Sequence, residues 1–290
     1  MNKPLEAFLS EQIGRATGQA FDLQSVRACS GGCINQTYIL EGCSQKYFVK
    51  LNEISALDMF KAEALALREL ESTATIRVPN SITQGRCGEQ SYLVLETLNL
   101  GSAATKSWAE MGKQLATLHR HTRSEFGWTR NNFIGSNPQS NTSSESWADF
   151  FTQHRIEFQL KLAEQRGMQF ERVNALIDRI HAELEQHSCR PSLLHGDLWS
   201  GNVGFVEDGE PVIFDPACYY GDREADLAFT EFFGGFSGHF YRSYQEAWPL
   251  PEGYSQRKQI YNLYHVLNHA NLFGGSYQLQ AQGMIHEILV

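Results

Sequence analysis

The sequence predicts an α+β fold with two lobes, a β-rich N-terminal lobe and a mainly helical C-terminal lobe. The first reason is length, because 290 residues suit about two domains. The second is that apolar residues up to Leu98 fall in short β-rich runs, whereas beyond Gly101 they recur at helical spacing. We therefore expect lobes at residues 1–98 and 104–290, a hinge at 99–103, and a small-molecule cleft at the junction.

The N-terminal lobe is predicted to contain a hairpin, a helix and a further strand. Residues 37–41 and 45–51 are rich in β-forming side chains and are separated by Gly42, which is typical of a hairpin. Over residues 57–71 the apolar side chains repeat on one helical face. Residues 90–96 form another β-rich run, so we expect a strand there.

The C-terminal lobe is predicted to be helical apart from two short strands. Residues 108–118 and 170–184 each place their apolar side chains on one face of a helix. Residues 131–146 are rich in Asn, Ser and Gly, which favours an exposed loop. Short apolar runs at 193–194 and 211–214 predict buried strands, and polar residues follow each of them.

The stretch LLHGDLWSGN at 193–202 carries polar groups on irregular backbone. Asp197 and Asn202 are five positions apart, and Asp215 follows the next apolar run. Two carboxylates and an amide supply oxygen ligands, which suit Mg²⁺ bound to substrate phosphates. A carboxylate kept off the metal can orient an acceptor hydroxyl and take its proton. Gly196 and Gly201 let these side chains point into one space.

This spacing matches the layout of kinases, in which H-x-D-x-x-x-x-N and a later D-F-G supply the base and the metal ligands. Gly196 stands where the protein-kinase motif has Arg, and Asp215-Pro-Ala replaces Asp-Phe-Gly, as in small-molecule phosphotransferases. Two simpler alternatives are that His195 and Asp197 cap a turn, or that they belong to a two-histidine metal hydrolase. The spacing from Asp197 to Asn202 and from Asp197 to Asp215, with an apolar run before each segment, favours the phosphotransferase over these alternatives.

The N-terminal lobe offers residues for ATP. Lys50 ends a predicted strand, the position from which a lysine reaches the α- and β-phosphates. Glu63 in the following helix can pair with Lys50, although a solvated helix face explains Glu63 otherwise. Backbone groups near Glu96 and Leu98 are expected to contact the adenine ring.

The segment SGGCINQT precedes the Lys50 strand and is typical of a glycine-rich loop that covers the phosphates of ATP. The backbone N–H groups of this loop would face the phosphates, and its candidate residues are Gly31, Gly32, Cys33 and Asn35. A hairpin turn explains the two glycines equally well. A thiol among phosphate-facing amides favours the thiolate, so an oxidation switch at Cys33 is one hypothesis. The alternative is an inert small side chain in a tight turn.

Composition and termini exclude several classes of protein. The net charge of −9 argues against a nucleic-acid partner, which needs a basic face. The first residues lack the apolar core of a signal peptide, and no apolar run approaches the roughly 18 residues of a membrane span. The six cysteines form no CxxC pair, which favours reduced thiols and a cytoplasmic location.

Four segments together resemble the fructosamine kinase (ketosamine kinase) family, within the protein-kinase-like and aminoglycoside phosphotransferase superfamily. They are SGGCINQTY, LLHGDLWSGN, FDPACYYGDREADLAFTEFFGGF and NLYHVLNHANLFGGSY. The resemblance implies a bilobal protein-kinase-like fold and a kinase that uses ATP and Mg²⁺ on the 3-hydroxyl of ketosamines, the adducts of sugars with amines. A phosphate on C3, beside the C2 ketone, is a good leaving group, so the product would eliminate and free the amine.

The resemblance also implies roles for individual residues. Asp197 would be the base, Asn202 and Asp215 would hold Mg²⁺, and Lys50 and Glu63 would form the phosphate-binding ion pair. Two further residues would support the catalytic loop, namely His195 and Asp226.

Five residues are weaker candidates for substrate contacts: Trp199, Asp222, Glu224, His265 and His269. Each has a structural explanation as well, as a packed ring, a solvated loop carboxylate or a core histidine. The expected substrate is a free or protein-bound ketosamine. The alternatives are a kinase of another small alcohol, such as an aminoglycoside or choline, and a nucleotide-binding protein without turnover. The sequence leaves open whether the protein is a monomer or a homodimer.

Overall fold

The computed structural model describes residues 1–29 and 34–290, and its N-terminal part is an antiparallel sheet of five strands in the order β1-β2-β3-β5-β4. The predicted hairpin is confirmed, with Thr37 opposite Lys50. The strands are β1 (Leu23–Cys29), β2 (Gln36–Gly42), β3 (Lys46–Glu53), β4 (Ser81–Cys87) and β5 (Gln90–Glu96).

A helix covers each face of this sheet. Helix α2 (Leu57–Ser72), which the apolar repeat predicted, packs its buried face on one side. Helix α1 (Lys3–Thr17), which we did not predict, buries Leu5, Leu9 and Ile13 on the other side, and Asn2 caps it. The spacing of these three apolar residues, one every four positions, is the helical signal that marks α1 in the sequence.

Side-chain alternation along β3 decides which residue faces the cleft. Val49 and Leu51 belong to the cluster that packs on α1. Successive residues of a strand point to opposite faces, so Lys50 points towards α2. The strand therefore places the ammonium of Lys50 on the side where the second lobe lies.

The rest of the chain is mainly helical, as predicted. Residues 97–104, which contain the predicted hinge, lead into it without regular structure, apart from a bridge between Leu100 and Val206. The lobe limits at 98 and 104 stay predictions. The helices are α3 (Thr105–Leu118), α4 (Trp147–Phe151) continued by a π-helical turn (Thr152–Glu157) and α5 (Phe158–Gln165), α6 (Val173–Glu185), α7 (Glu224–Thr230), α8 (Gly238–Ala247), α9 (Tyr254–Phe273) and α10 (Ser276–Ile288).

Three two-stranded ribbons position the irregular segments of this lobe. Strand β8 (Ser192–Leu194) pairs with β11 (Tyr219–Gly221), and β9 (Val203–Phe205) pairs with β10 (Pro211–Ile213). Both predicted apolar runs are therefore strands. The end of β8 leads into the His195–Asn202 segment, and the end of β10 leads to Asp215.

The prediction of an exposed loop at 131–146 is wrong in part. Residues 132–134 and 137–139 form a third ribbon, β6 (Asn132–Ile134) with β7 (Asn137–Gln139). Three amide side chains of this ribbon are buried, those of Asn132, Asn137 and Gln139, and so is that of Asn141, which follows it. The polar composition of this stretch predicted exposure to solvent. Inside the lobe, however, these amides hydrogen-bond to the backbone, to one another and to the side chain of Asn268.

Among the helices of the described residues, none combines the length and the apolar character that a membrane crossing requires.

Candidate active site

The principal polar residues predicted from the sequence meet in one cleft. Its cavity, about 620 Å³ in volume, is lined by Lys50 from the N-terminal lobe and by Asp197, Asn202 and Asp215 from the C-terminal lobe. A volume of this size is typical of small-molecule sites. The other lining residues are largely apolar and aromatic, among them Met59, Phe133, Trp199, Phe233, Leu272, Phe273 and Tyr277.

The turn after β8 requires glycine at its centre. Gly196 has a φ of +81°, and a Cβ there would lie 2.2 Å from the carbonyl oxygen of Ala217. The amide of Ala217 donates to the carbonyl of His195 at 2.9 Å. This close approach of two backbone segments ties the loop of Asp197 to the segment that follows Asp215.

The side chain of His195 holds the same turn in place through two hydrogen bonds. The ring is buried, and its Nε2 donates to the carbonyl of Phe214 at 3.0 Å. Because Nε2 carries the proton, Nδ1 is free to accept from the backbone amide of Asp197 at 3.2 Å. One imidazole thus joins the residue before Asp215 to the backbone of Asp197.

Asp226, at the start of α7, accepts two backbone hydrogen bonds from the turn. Its Oδ2 receives the amide of His195 at 2.7 Å and its Oδ1 receives the amide of Gly196 at 2.8 Å. His119, which the sequence reading missed, lies at 3.2 Å from Oδ2 and completes the buried set. All these groups are buried, so losing any one hydrogen-bond partner would leave a polar group in the interior without a hydrogen bond.

We expect Asp226→Asn to lower the free energy of unfolding by about 2–3 kcal/mol, because hydrogen bonds to a buried charged group are lost. An amide NH₂ in place of one oxygen faces a backbone N–H that can no longer donate to it. Turnover should fall by about 10–100-fold, as for other residues that orient a catalytic group. Urea denaturation and steady-state kinetics measure both, with the exposed Asp178→Asn on α6 as the matched control. Unchanged stability would contradict the buried role.

Lys50 forms the electrostatic centre of the cleft. Its Nζ lies 2.7 Å from Glu63 Oε1 and 2.6 Å from Asp215 Oδ1. Burial by itself would lower the pKa of Lys50, but Asp215 and Glu63 outweigh it and raise this pKa above its usual value. Burial raises the pKa of Glu63, and Lys50 opposes that effect. The ammonium therefore stays charged at neutral pH and joins the lobes across 165 positions of sequence.

Asp197 has the properties of a general base. Burial raises its pKa to about 7, and the negative charges of Asp215 and Asp226 add to this, while the hydrogen bond from Asn202 opposes it. Asn202 Nδ2 donates to Asp197 Oδ2 at 3.1 Å and to its backbone carbonyl at 2.8 Å. A carboxylate with a pKa near the working pH is well matched to proton transfer.

Buried amides support the segment after Asp215 from behind. Asp215 has a φ of +58°, which is unusual for a residue other than glycine. Gln139 Nε2 donates to the carbonyl of Ala217 at 3.0 Å, and Asn132 Nδ2 donates to that of Cys218 at 2.8 Å. These two residues were missed because Asn and Gln in a polar stretch usually mark solvent-exposed turns. They fix the backbone from which Asp215 projects.

An aromatic wall closes one side of the cleft. Trp199 packs edge-on against Phe233, with ring centroids 5.8 Å apart. Gly201 allows this, since a Cβ there would lie 2.3 Å from the indole ring. His269 also lines the cavity, and its Nδ1 donates to the carbonyl of His265, which leaves Nε2 unprotonated in the neutral ring. Trp199 and His269 are therefore accessible to a substrate.

Only some of the residues predicted to bind ATP line the cleft. Asn35 lines the cavity, and its Oδ1 accepts from Asn52. Glu96 and Leu98 do not line this cavity, and the side chain of Glu96 pairs with Arg77. Their role beside the adenine ring stays a prediction. The remaining predicted ATP residues, Gly31, Gly32 and Cys33, lie outside the described residues, and so does the hypothesis of a redox switch at Cys33.

Known proteins resemble this chain over nearly its whole length. A profile of the family described as fructosamine kinase matches residues 6–290. The chain belongs to the fructosamine kinase family. The protein of Synechocystis named Probable ketoamine kinase is 50% identical over 282 residues, 97% of this chain and 96% of that protein. The chloroplastic protein-ribulosamine 3-kinase of Arabidopsis thaliana is 39% identical, over 94% of this chain and 85% of that protein.

Solved structures place this member of the fructosamine kinase family in the protein-kinase-like fold. A crystal structure of a candidate fructosamine-3-kinase from Haemophilus somnus has a TM-score of 0.93 and 34% identity, and covers 97% of each chain. The aminoglycoside phosphotransferase APH(4)-Ia has a TM-score of 0.67 at 16% identity, with 98% of this chain and 97% of that chain covered, which shows a shared fold. The predicted bilobal α+β fold, the family and its kinase activity are confirmed.

Three of the residues predicted to contact substrate lie elsewhere in this family member. Asp222 is buried and accepts hydrogen bonds from His187 and Tyr261. Glu224 is buried and forms a bidentate ion pair with Arg257. Neither lines the cleft, so the prediction that they attract an amine-bearing substrate is wrong. The presence of a charged residue in a sequence does not reveal whether it is buried, and both carboxylates have their hydrogen-bond partners inside the lobe.

His265 is the third of these corrections. Its ring is buried and stacks on Phe229 with centroids 3.5 Å apart. Burial lowers the pKa of His265 well below its usual value, so the ring is neutral. It supports α9 from the core and does not line the cleft.

The residues at the centre of the cleft fit Mg²⁺. Asp215 is half-exposed to the cleft, and Asn202 uses its Nδ2 towards Asp197, so within the described residues its Oδ1 stays available. Carboxylate and amide oxygens are the donors that this cation prefers. Phosphates facing Lys50 would supply the further oxygen ligands.

Proposed function

We propose that this chain transfers the γ-phosphoryl group of ATP to the 3-hydroxyl of ketosamines, with fructosamine and ribulosamine adducts as the substrate class. The observation that carries the proposal is the meeting of Asp197, Asn202, Asp215 and Lys50 around one cavity. Membership of the fructosamine kinase family supports the choice of acceptor. Relatives named protein-ribulosamine 3-kinase support ketosamines on protein lysines as further substrates.

Each of these residues has one task in the proposed reaction. Asp197 orients the acceptor hydroxyl and takes its proton as the phosphoryl group arrives. Lys50, held by Glu63, binds the phosphates of ATP. Asn202 and Asp215 hold Mg²⁺, which supplies charge neutralisation to the transferring phosphoryl group when bound. The protein itself contributes mainly positioning and electrostatic stabilisation, as is usual in phosphoryl transfer.

A screen of ATP consumption tests the proposal. Ribulosamines, fructosamines, a ribosylated lysine peptide, an aminoglycoside and choline are each supplied with ATP and Mg²⁺. We expect turnover of the ketosamines by the wild type and none by Asp215→Ala. Phosphorylation of the aminoglycoside or choline in preference to every ketosamine would overturn the assigned substrate class. A phosphorus NMR spectrum of the product locates the phosphate on C3.

The pH dependence of the reaction should report Asp197. A base must be unprotonated, so kcat/KM for the ketosamine is expected to fall as the pH drops below the Asp197 pKa of about 7 and to level off above it. ATP and the substrate amine titrate as well, so binding of ADP across the same pH range serves as the control. The residual rate of Asp197→Asn should lack this inflection. A kcat/KM that stays flat down to about pH 5 would contradict the raised pKa.

A further inference from the structure

A second group of chemically reactive side chains lies outside the cleft. His187 and Cys189 sit between α6 and β8, and Asp222 directly follows β11. Their potential ligand atoms, a ring nitrogen of His187, Cys189 Sγ and a carboxylate oxygen of Asp222, all lie within 4.8 Å of one another. None of the three lines the cleft of Lys50 and Asp197.

We propose that His187, Cys189 and Asp222 form a binding site for Zn²⁺, with water in the fourth position. The set combines nitrogen, sulfur and oxygen donors, which Zn²⁺ accepts in tetrahedral geometry. A thiolate ligand disfavours Mg²⁺, the hard cation expected in the cleft, so the two sites would take different metals. When the metal binds, the Cys189 thiol loses its proton to solvent and the sulfur–zinc bond forms.

The local charge balance favours a cation at this place. Asp222 and Glu224 are both buried, and the guanidinium of Arg257 is committed to Glu224. Within the described parts of the chain, Asp222 has no Lys or Arg partner, and the one ion-pair partner it has is His187, whose Nε2 lies 2.8 Å from Asp222 Oδ2. A neutral imidazole leaves this buried carboxylate without a compensating charge, and a divalent cation bound to both side chains would supply that charge.

Two nearby arginines, Arg223 and Arg120, form hydrogen bonds to groups other than Asp222. Arg223 donates to the carbonyls of Trp248 and Pro249 and to the hydroxyl of Tyr244. Arg120 donates to the carbonyl of Ala247. Both arginines line a cavity that His187, Cys189 and Asp222 also line, but their hydrogen bonds are made to neutral groups on α8 and the segment that follows it.

Neighbouring groups already orient the carboxylate ligand. The hydroxyl of Tyr261 donates to Asp222 Oδ2 at 2.6 Å, and the amide of Glu224 donates to Oδ1 at 3.1 Å. Such outer hydrogen bonds are typical of metal sites, where they fix the direction of the ligand atoms. An open cavity of about 570 Å³ borders all three ligand residues and provides an entry path and room for the water.

The position of the site suggests what binding does. It lies at one end of the β8–β11 ribbon, where Ser192 pairs with Gly221. The opposite end, where Leu194 pairs with Tyr219, leads directly into the turn of Gly196 and Asp197. A metal that joins the segment before β8 to the residue after β11 would clamp the ribbon that carries the catalytic loop, and so stabilise the folded lobe.

Thermal unfolding with added Zn²⁺, in excess Mg²⁺, tests the site. At a zinc concentration about 100-fold above the dissociation constant, we expect the wild-type Tm to rise by about 4 °C. Cys189→Ser and His187→Gln should each lose this shift. Cys43→Ser, which removes an exposed thiol elsewhere, should keep it. An equal shift in wild type and Cys189→Ser would overturn the proposal.

Cobalt supplies an independent readout that does not depend on activity. Co²⁺ added to the wild type should give a thiolate-to-metal charge-transfer band together with the visible absorption of tetrahedral Co²⁺, and Zn²⁺ should displace both. The bands should disappear in Cys189→Ser and persist in Cys43→Ser. Octahedral Co²⁺ without a thiolate band would also overturn the proposal. Neither readout uses turnover, so this outcome is independent of the proposed kinase reaction.

Discussion

Asp197→Asn should lower kcat for ketosamine phosphorylation by about a thousandfold, within the 10²–10⁴-fold range of a general base. The amide retains the shape of the side chain and can still meet Asn202, but it cannot take the proton of the acceptor hydroxyl. The free energy of unfolding should stay the same or rise slightly, because a buried carboxylate is removed from the vicinity of Asp215 and Asp226. Steady-state kinetics and urea denaturation measure the two effects.

The matched control for this variant is Asp208→Asn, which changes an exposed carboxylate in the turn after β9. It should leave turnover and stability unchanged. The KM for ATP should also change little in Asp197→Asn, since the residue is proposed to act on the acceptor. Wild-type kcat in Asp197→Asn would refute the assignment of the base.

Lys50→Met should be destabilising as well as inactive. The ammonium is the partner of two carboxylates, and its loss leaves Glu63, whose side chain is only 11% exposed, without a compensating charge. Breaking a buried ion pair costs about 3–5 kcal/mol, which is a large share of the stability of an ordinary domain. Asp215 is half-exposed, so solvent relieves most of the cost on that side.

A second substitution separates the two roles of Lys50. In Lys50→Met/Glu63→Gln the uncompensated charge is removed, so most of the lost stability should return. Turnover should not return, because the group that binds the phosphates is still absent. The control is Lys113→Met on the exposed face of α3, which should match the wild type in both measurements. A double variant that regains ATP turnover would contradict the phosphate-binding role.

The polar centre of the site could be predicted because the chemistry constrains the spacing of its residues. Asp197, Asn202 and Asp215 follow short apolar runs on irregular, glycine-containing backbone, and Lys50 lies in a β-rich run. A side chain that must reach a phosphate or a metal tolerates few substitutions of type, so these positions carry a signal in a single sequence.

The burial of polar residues could not be predicted in the same way. Asp222, Glu224 and Asn132 are of residue types that usually lie at the surface. In the folded chain they are buried, and they form hydrogen bonds with residues distant in sequence. His119 gave no motif at all, because its role arises from a distance of 3.2 Å to a residue 107 positions away. Hydrogen-bond partners of this kind exist only once the chain has folded.

The sequence by itself determined the two-lobed α+β architecture, the strands and helix around Lys50, and the residue types at the centre of the cleft. These features depend on local periodicity and on chemistry that only a few side chains can perform. The tertiary structure alone decided that α1 covers the sheet, that buried amides support the backbone after Asp215, and that His187, Cys189 and Asp222 meet. The physical reason is that packing joins positions far apart in the chain, and no local pattern encodes which of them become neighbours.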